Sequence, residues 1–106
     1  MTELSLDVRA GRKGEVVIAV AGEVEMTTAP QLAKCILEHA ATNVVVDLSE
    51  VTFLDSTGIT ALVHGYNELR RNGYTLRTTG ERDVILRVLE ISGLDGLFHG
   101  DAPPDG

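Results

Sequence analysis

Tryptophan is absent from this sequence, and aromatic residues make up only 4% of its 106 positions. The core must therefore be aliphatic. There is one cysteine, Cys35, which excludes an intramolecular disulfide and fits a reducing cytosol, so a cytoplasmic location is expected. Cations are scarce: nine Lys and Arg stand against sixteen Asp and Glu, a net charge of −7. Nucleic acid and anionic membrane both demand clustered Lys and Arg, so neither is expected as a partner. A basic protein surface is permitted. No apolar run approaches the length of a membrane span. The N-terminus lacks a basic region followed by an apolar stretch, so no signal peptide is expected.

Several chemical signatures are missing as well. The histidines, His39, His64 and His99, have no metal-ligand spacing to one another or to Cys35. Neither G-x-x-x-x-G-K-[ST] nor G-x-G-x-x-G occurs after a strand. No cofactor is expected. A hydrolase elbow, G-x-S-x-G, is lacking too, because Ser56 stands in Leu-Asp-Ser-Thr-Gly. No internal repeat or linker divides the chain. Its length suits one domain, able to bury roughly 65% of its unfolded surface.

What is present is a clear alternation of elements. Leu4, Leu6 and Val8 alternate with polar residues, a half-buried strand. Gly11 to Gly14 is a turn, and Glu15 to Ala21 resumes as a second strand, predicting an antiparallel hairpin. A polar loop over Gly22 to Met26 precedes a helix capped by Thr27 or Thr28. With Thr28 at the cap, Gln31 completes a capping-box pattern and Pro30 sits in the first turn. The inward stripe is Ala29, Leu32, Ala33, Ile36, Leu37 and Ala40, with Lys34, Cys35 and Glu38 off it. Val44 to Leu48 is a continuous apolar run, suited to a strand covered on both faces. A short connection leads to Asp55-Ser56-Thr57-Gly58 and a second helix on Ile59, Leu62, Val63, Tyr66 and Leu69. Gly73 stops it. Tyr74 to Thr79 is a fourth strand, and Glu81 to Ser92 a third helix burying Val84, Ile85, Val88 and Leu89. Leu94, Leu97 and Phe98 tuck a last turn onto the domain, and residues 99–106 read as a frayed tail. The fold class is α/β: a mixed four-stranded sheet with an N-terminal antiparallel hairpin, three to four helices, and right-handed crossovers between the parallel strands.

Asp55 to Gly58 has two readings. Asp, Ser and Thr are preferred helix caps, each worth about 1 kcal/mol, and four such residues alone are more often a cap than a site. An exposed hydroxyl there can also accept a phosphoryl group. Glu23 and Glu25, taken alone, are a solvated loop. Both loops follow parallel strands, which predicts that they lie side by side at one end of the sheet.

Three pieces together carry a resemblance. They are Gly22-Glu23-Val24-Glu25 before the first helix, Val45-Val46-Asp47-Leu48-Ser49 with Val51 to Gly58, and Ile91-Ser92-Gly93-Leu94 before Leu97-Phe98. In this order they resemble the STAS domain, specifically the stand-alone bacterial anti-sigma factor antagonists, over about Leu4 to Phe98. The resemblance implies a binding module rather than an enzyme. It implies that Ser56 is phosphorylated by an anti-sigma factor with a GHKL-type serine kinase fold, and that a metal-dependent serine phosphatase reverses this. The unmodified protein would bind the anti-sigma factor and free the sigma factor. The contact residues implied are Glu23, Glu25, Met26, Asp55, Ser56, Thr57, Gly58, Ile59 and Thr60. Many family members have Asp where this chain has Glu25. Two other readings are a STAS module of another signalling assembly and a small nucleotide-binding or hydrolytic protein using Ser56.

Overall fold

Val44 to Leu48 lies in the middle of the sheet, as its continuous apolar character requires. The computed structural model describes residues 3–99. The elements are β1 (Leu4–Ala10), β2 (Val16–Val24), α1 (Ala29–Leu37), β3 (Val44–Leu54), α2 (Ser56–Arg71), β4 (Leu76–Thr79), α3 (Asp83–Ile91) and α4 (Asp95–Phe98). The sheet order is β1-β2-β3-β4. β1 pairs antiparallel with β2, while β2, β3 and β4 run parallel. The mixed sheet and its N-terminal hairpin are therefore as the pattern predicts.

One face of the sheet makes the core. Ile18, Val20, Val44, Val46, Leu48 and Leu76 join Leu32, Ile36, Leu62, Leu69, Ile85, Leu89 and Phe98 in a single aliphatic cluster. The opposite-facing residues of β2 and β3, such as Val17, Ala19 and Asp47, lie outside it. Val45 also points that way yet is only 6% exposed, flanked in the register by Val17 and Arg77. The Val-rich strand is thus covered by helices on one face and by its neighbours' side chains on the other.

Several boundaries differ from the periodic reading, each for a physical reason. β2 continues to Val24 and β3 to Leu54, so the expected loop at Gly22 and connection at Ser49 are strand. The register slips between Ala19 and Ala21 and again between Gly22 and Glu23. Such bulges break the two-residue alternation that marks a strand in sequence. Gly22 sits at φ 111, and a Cβ there would lie 2.3 Å from the Glu3 carbonyl oxygen, so only glycine fits.

In α1 the buried stripe is Ala29, Leu32, Cys35 and Ile36; Leu37 is 37% exposed. The stripe is rotated by one residue, bringing Cys35 in and turning Leu37 out. Thr28 is the N-cap residue but makes no side-chain cap bond, so the capping box does not form. Its hydroxyl instead donates to the Glu23 carbonyl at 2.7 Å and accepts from the Glu25 N–H at 2.9 Å. α3 begins at Asp83, two residues later than expected, and leaves Val84 exposed while Ile85 and Leu89 are buried. β4 begins at Leu76, because the Thr75 N–H is held by the Asn43 side chain at 2.9 Å.

The last turn packs firmly. Phe98 is fully buried, its ring edge-on to Tyr66 with centroids 6.0 Å apart. His99, expected in the tail, instead places Nε2 2.6 Å from Glu81 Oε2. Burial pushes the Glu81 carboxyl up, but hydrogen bonds from Thr78 and His99 outweigh it and hold the group below its ordinary range. Residues 100–106 of the expected tail lie outside the described residues.

Candidate functional site

β2 and β3 run parallel, so the loops after them meet at one end of the sheet. Val24 and Leu54 are register partners, and the Asp55 N–H donates to the Val24 carbonyl at 3.1 Å. The predicted adjacency of the Glu25 loop and the Ser56 turn is therefore present. Asp55 is near enough to Glu25 for its charge to act on the Glu25 carboxyl, as the smallest of the effects there.

Asp55 is the N-cap of α2. Its Oδ1 accepts from the N–H groups of Thr57 at 2.9 Å and Gly58 at 3.2 Å, and from the Thr57 hydroxyl at 2.5 Å. The Thr57 hydroxyl and these backbone donors hold the Asp55 carboxyl below its usual range. A depressed folded-state pKa contributes stability above the unfolded carboxylate range, near pH 4, and loses it as pH falls.

This arrangement sorts the hydroxyls of the turn. Thr57 is half-buried and committed to Asp55. Thr60 donates back to the Ser56 carbonyl at 2.9 Å. Ser56 is exposed, and its hydroxyl makes no hydrogen bond among the described residues. The cap belongs to Asp55, so Ser56 is not needed to start the helix. On the neighbouring loop, Glu25 Oε1 accepts from the N–H and hydroxyl of Thr27, both at 2.5 Å. The Thr27 hydroxyl bond is the main reason that the Glu25 carboxyl lies below its ordinary range. Glu23 is exposed, and Met26 is 71% exposed. Ile59 is half-buried and packs against the core.

Gly58 sets how closely the two loops approach. It is buried, and a Cβ there would stand 2.5 Å from Leu54 Cδ1 and 2.7 Å from Val24 Cγ1. Leu54 can swing, but Val24 is β-branched and stiff. Gly58→Ala gains about 1 kcal/mol of helix propensity and incurs about 1–3 kcal/mol of overpacking. We expect the clash to win by about 1 kcal/mol, read as a lower denaturant midpoint; a higher midpoint would contradict this packing.

An apolar groove of about 370 Å³ opens beside the turn between α1 and α2. Met26, Ala29, Pro30 and Ala33 form one wall, and Thr57, Thr60, Ala61 and His64 the other. Ala29, Pro30, Ala33, Ala61 and His64 are not among the contact residues that the resemblance implies. Their signal was the pair of small residues four apart on each helix, Ala29 with Ala33 and Thr57 with Ala61, which reads equally well as core. Among the described residues, no group of three His, Cys, Asp or Glu side chains could hold a metal ion. No helix among the described residues is long and apolar enough to cross a membrane.

The comparisons agree with this geometry. A family model described as "Mlab, STAS domain" matches residues 8–99. The anti-sigma-B factor antagonist of Listeria monocytogenes is 30% identical over 99 residues, covering 91% of this chain and 87% of that protein. The crystal structure of an anti-sigma factor antagonist from Mycobacterium paratuberculosis superposes with a TM-score of 0.72 at 32% identity, covering 91% of this chain and 83% of that one. The Bacillus cell fate determinant SpoIIAA in its phosphorylated form shares the fold, with a TM-score of 0.67 at 19% identity over 90% of this chain and 88% of that chain.

Proposed function

The chain belongs to the STAS domain family, and from that premise we propose a switch: it is an anti-sigma factor antagonist that binds its anti-sigma factor while Ser56 is unmodified and lets go when Ser56 carries a phosphoryl group. The relatives named as anti-sigma factor antagonists support the first half. The second half rests on one observation. Ser56 is exposed and uncommitted, while its neighbours Thr57 and Thr60 are hydrogen-bonded within the helix start.

The anti-sigma factor is itself the serine kinase in this reading, with a GHKL-type fold, and a metal-dependent serine phosphatase restores the binding form. The exchange takes place in the cytoplasm, and the chain acts as a binding module rather than an enzyme. The partner covers the Ser56 turn, the Glu23–Met26 loop and the groove between α1 and α2. Glu23, Glu25 and Asp55 give this surface an acidic rim, which suits a basic partner surface. A phosphoryl group adds ≈ −1.5 to −2 charges beside Asp55. The helix N-terminus accommodates that charge, so the fold persists, while a contact fitted to the bare hydroxyl fails because the bulky, strongly hydrated group must be desolvated there.

Glu25→Lys tests the position of the interface. We expect the affinity for the anti-sigma factor to fall by about tenfold or more, since charge reversal opposes the partner's basic groups. The thermal midpoint should move little, because the two bonds lost, from the N–H and hydroxyl of Thr27, are on an exposed residue. Unchanged affinity would remove Glu25 from the contact. The experiment for the switch itself combines Ser56→Ala and Ser56→Asp with isothermal titration against the anti-sigma factor. Binding is expected to be kept in the first and largely lost in the second.

A further inference from the structure

The end of the sheet remote from Ser56 carries a concentration of positive charge. Arg12 and Lys13 stand in the β1–β2 turn, Arg77 in β4, and Asn43 just before β3. The register Val17–Val45–Arg77 draws them together. With Glu15 they line a cavity of about 280 Å³.

The charges in this cavity do not balance. Glu15 is its one carboxylate, with Oε2 3.6 Å from an Arg77 guanidinium nitrogen. Among the described residues, Arg12 and Lys13 form no ion pair. Two cations are left over in a chain whose net charge is −7. Asn43 adds a further donor. Its Oδ1 accepts from the Thr75 N–H at 2.9 Å and the Thr75 hydroxyl at 3.2 Å, which leaves its NH₂ to donate.

Lys13 is also held in an uncommon backbone state, at φ 54 and ψ 36. The turn closes around it through Gly11 N–H to the Glu15 carbonyl at 2.8 Å and Glu15 N–H to the Arg12 carbonyl at 2.9 Å. Left-handed backbone at a non-glycine residue costs energy, and it is retained where surrounding bonds fix it. Here it fixes the backbone of a lysine that lines the cavity beside Arg12.

These features select a ligand class. Guanidinium forks, an ammonium and an amide match the several acceptor oxygens of a phosphate. No aromatic side chain lines the cavity, so nothing there stacks a nucleobase. Its volume is at the small end for ligand pockets, which favours a compact anion. We infer that this cavity binds a small phosphate-bearing anion, inorganic phosphate or a non-aromatic phosphomonoester. β3 rises about 3.3 Å per residue, so the site lies about 30 Å from the Ser56 turn and is independent of the switch read there.

The test is a ¹H–¹⁵N titration of the intact chain with inorganic phosphate, with sodium chloride at matched ionic strength as control. Saturable shifts are expected at Arg12, Lys13, Asn43 and Arg77, with Asp55 to Gly58 unmoved. Arg12→Gln and Lys13→Gln, both in an exposed turn, should each raise the dissociation constant about tenfold, and Lys13→Arg should restore it. In a second arm, vesicles containing phosphatidic acid should fail to retain the protein. Shifts that never saturate, or that chloride reproduces, would overturn the proposal. So would variants that bind phosphate as well as the parent, or retention on vesicles without any response to free phosphate.

Discussion

Ser56→Asp is expected to weaken binding to the anti-sigma factor by about 100-fold, with the thermal midpoint almost unchanged. The size follows from burying a carboxylate, larger than the hydroxyl it replaces, in a contact fitted to a small neutral side chain, where an unpaired charge taken out of water costs several kcal/mol. The phosphorylated protein should lose more, since its charge is ≈ −1.5 to −2. The fold is indifferent because Ser56 opens a 16-residue helix, where negative charge meets the positive end of the dipole. Ser56→Ala separates the two effects. Asp55 supplies the cap, so removing the Ser56 hydroxyl leaves the helix start intact. Alanine is also the better helix former. We therefore expect full binding and equal or slightly raised stability, against the cap loss that the sequence alone suggested. Titration calorimetry and thermal melts on the same preparations check both halves.

Phe98→Ala is expected to be the most destabilising single truncation at the C-terminal turn. The side chain is fully buried and packs edge-on against Tyr66 of α2. Phe→Ala in a core costs about 3–5 kcal/mol, against a typical domain stability of 5–15 kcal/mol. For a chain of this size that lowers the midpoint by roughly 15–30 °C. Thermal unfolding followed by circular dichroism gives the answer, and Phe98→Leu should recover much of the loss. A drop of under about 1 kcal/mol would mean that the last turn is not part of the core.

The elements that were legible in the sequence are those whose signal is local. Val44 to Leu48 reads as an interior strand because four of its five residues are aliphatic and three are Val, and Gly11 to Gly14 reads as a hairpin turn from its glycines. Asp55-Ser56-Thr57 before a helical stripe reads as a cap, and the structure assigns it to Asp55. The misreadings arise where a distant neighbour decides. The two register slips put an extra residue on β3 each time, a feature of its pairing with β2, which lengthens both strands past the point where alternation fails. Cys35 is buried and Leu37 exposed because the face of α1 is chosen by what it packs on, not by its own apolar count. Thr28 meets the criteria for a capping box, but Glu23 and Glu25 offer its hydroxyl better partners.

The same divide runs through the site. Ser56 was identifiable as a hydroxyl at a helix start, and the resemblance gave it a role. A helix that starts at Ser56 turns the Thr57 hydroxyl inward and leaves Ser56 projecting outward; that the Thr57 partner is the Asp55 carboxylate and not a backbone group is a matter of geometry that no spacing contains. Glu25 and Asp55 lie 30 residues apart in the chain and share one surface only because β2 and β3 are parallel neighbours. The groove between α1 and α2 was hidden because its alanines look like core.

The most direct measurement is mass spectrometry of the protein after incubation with its anti-sigma factor and ATP, followed by titration of the purified product against fresh anti-sigma factor. The account predicts one phosphoryl group, on Ser56, none on Ser56→Ala, and an affinity lowered by about 100-fold or more. Phosphate on Thr57 or Thr27, or a product that binds as tightly as the unmodified chain, would contradict it.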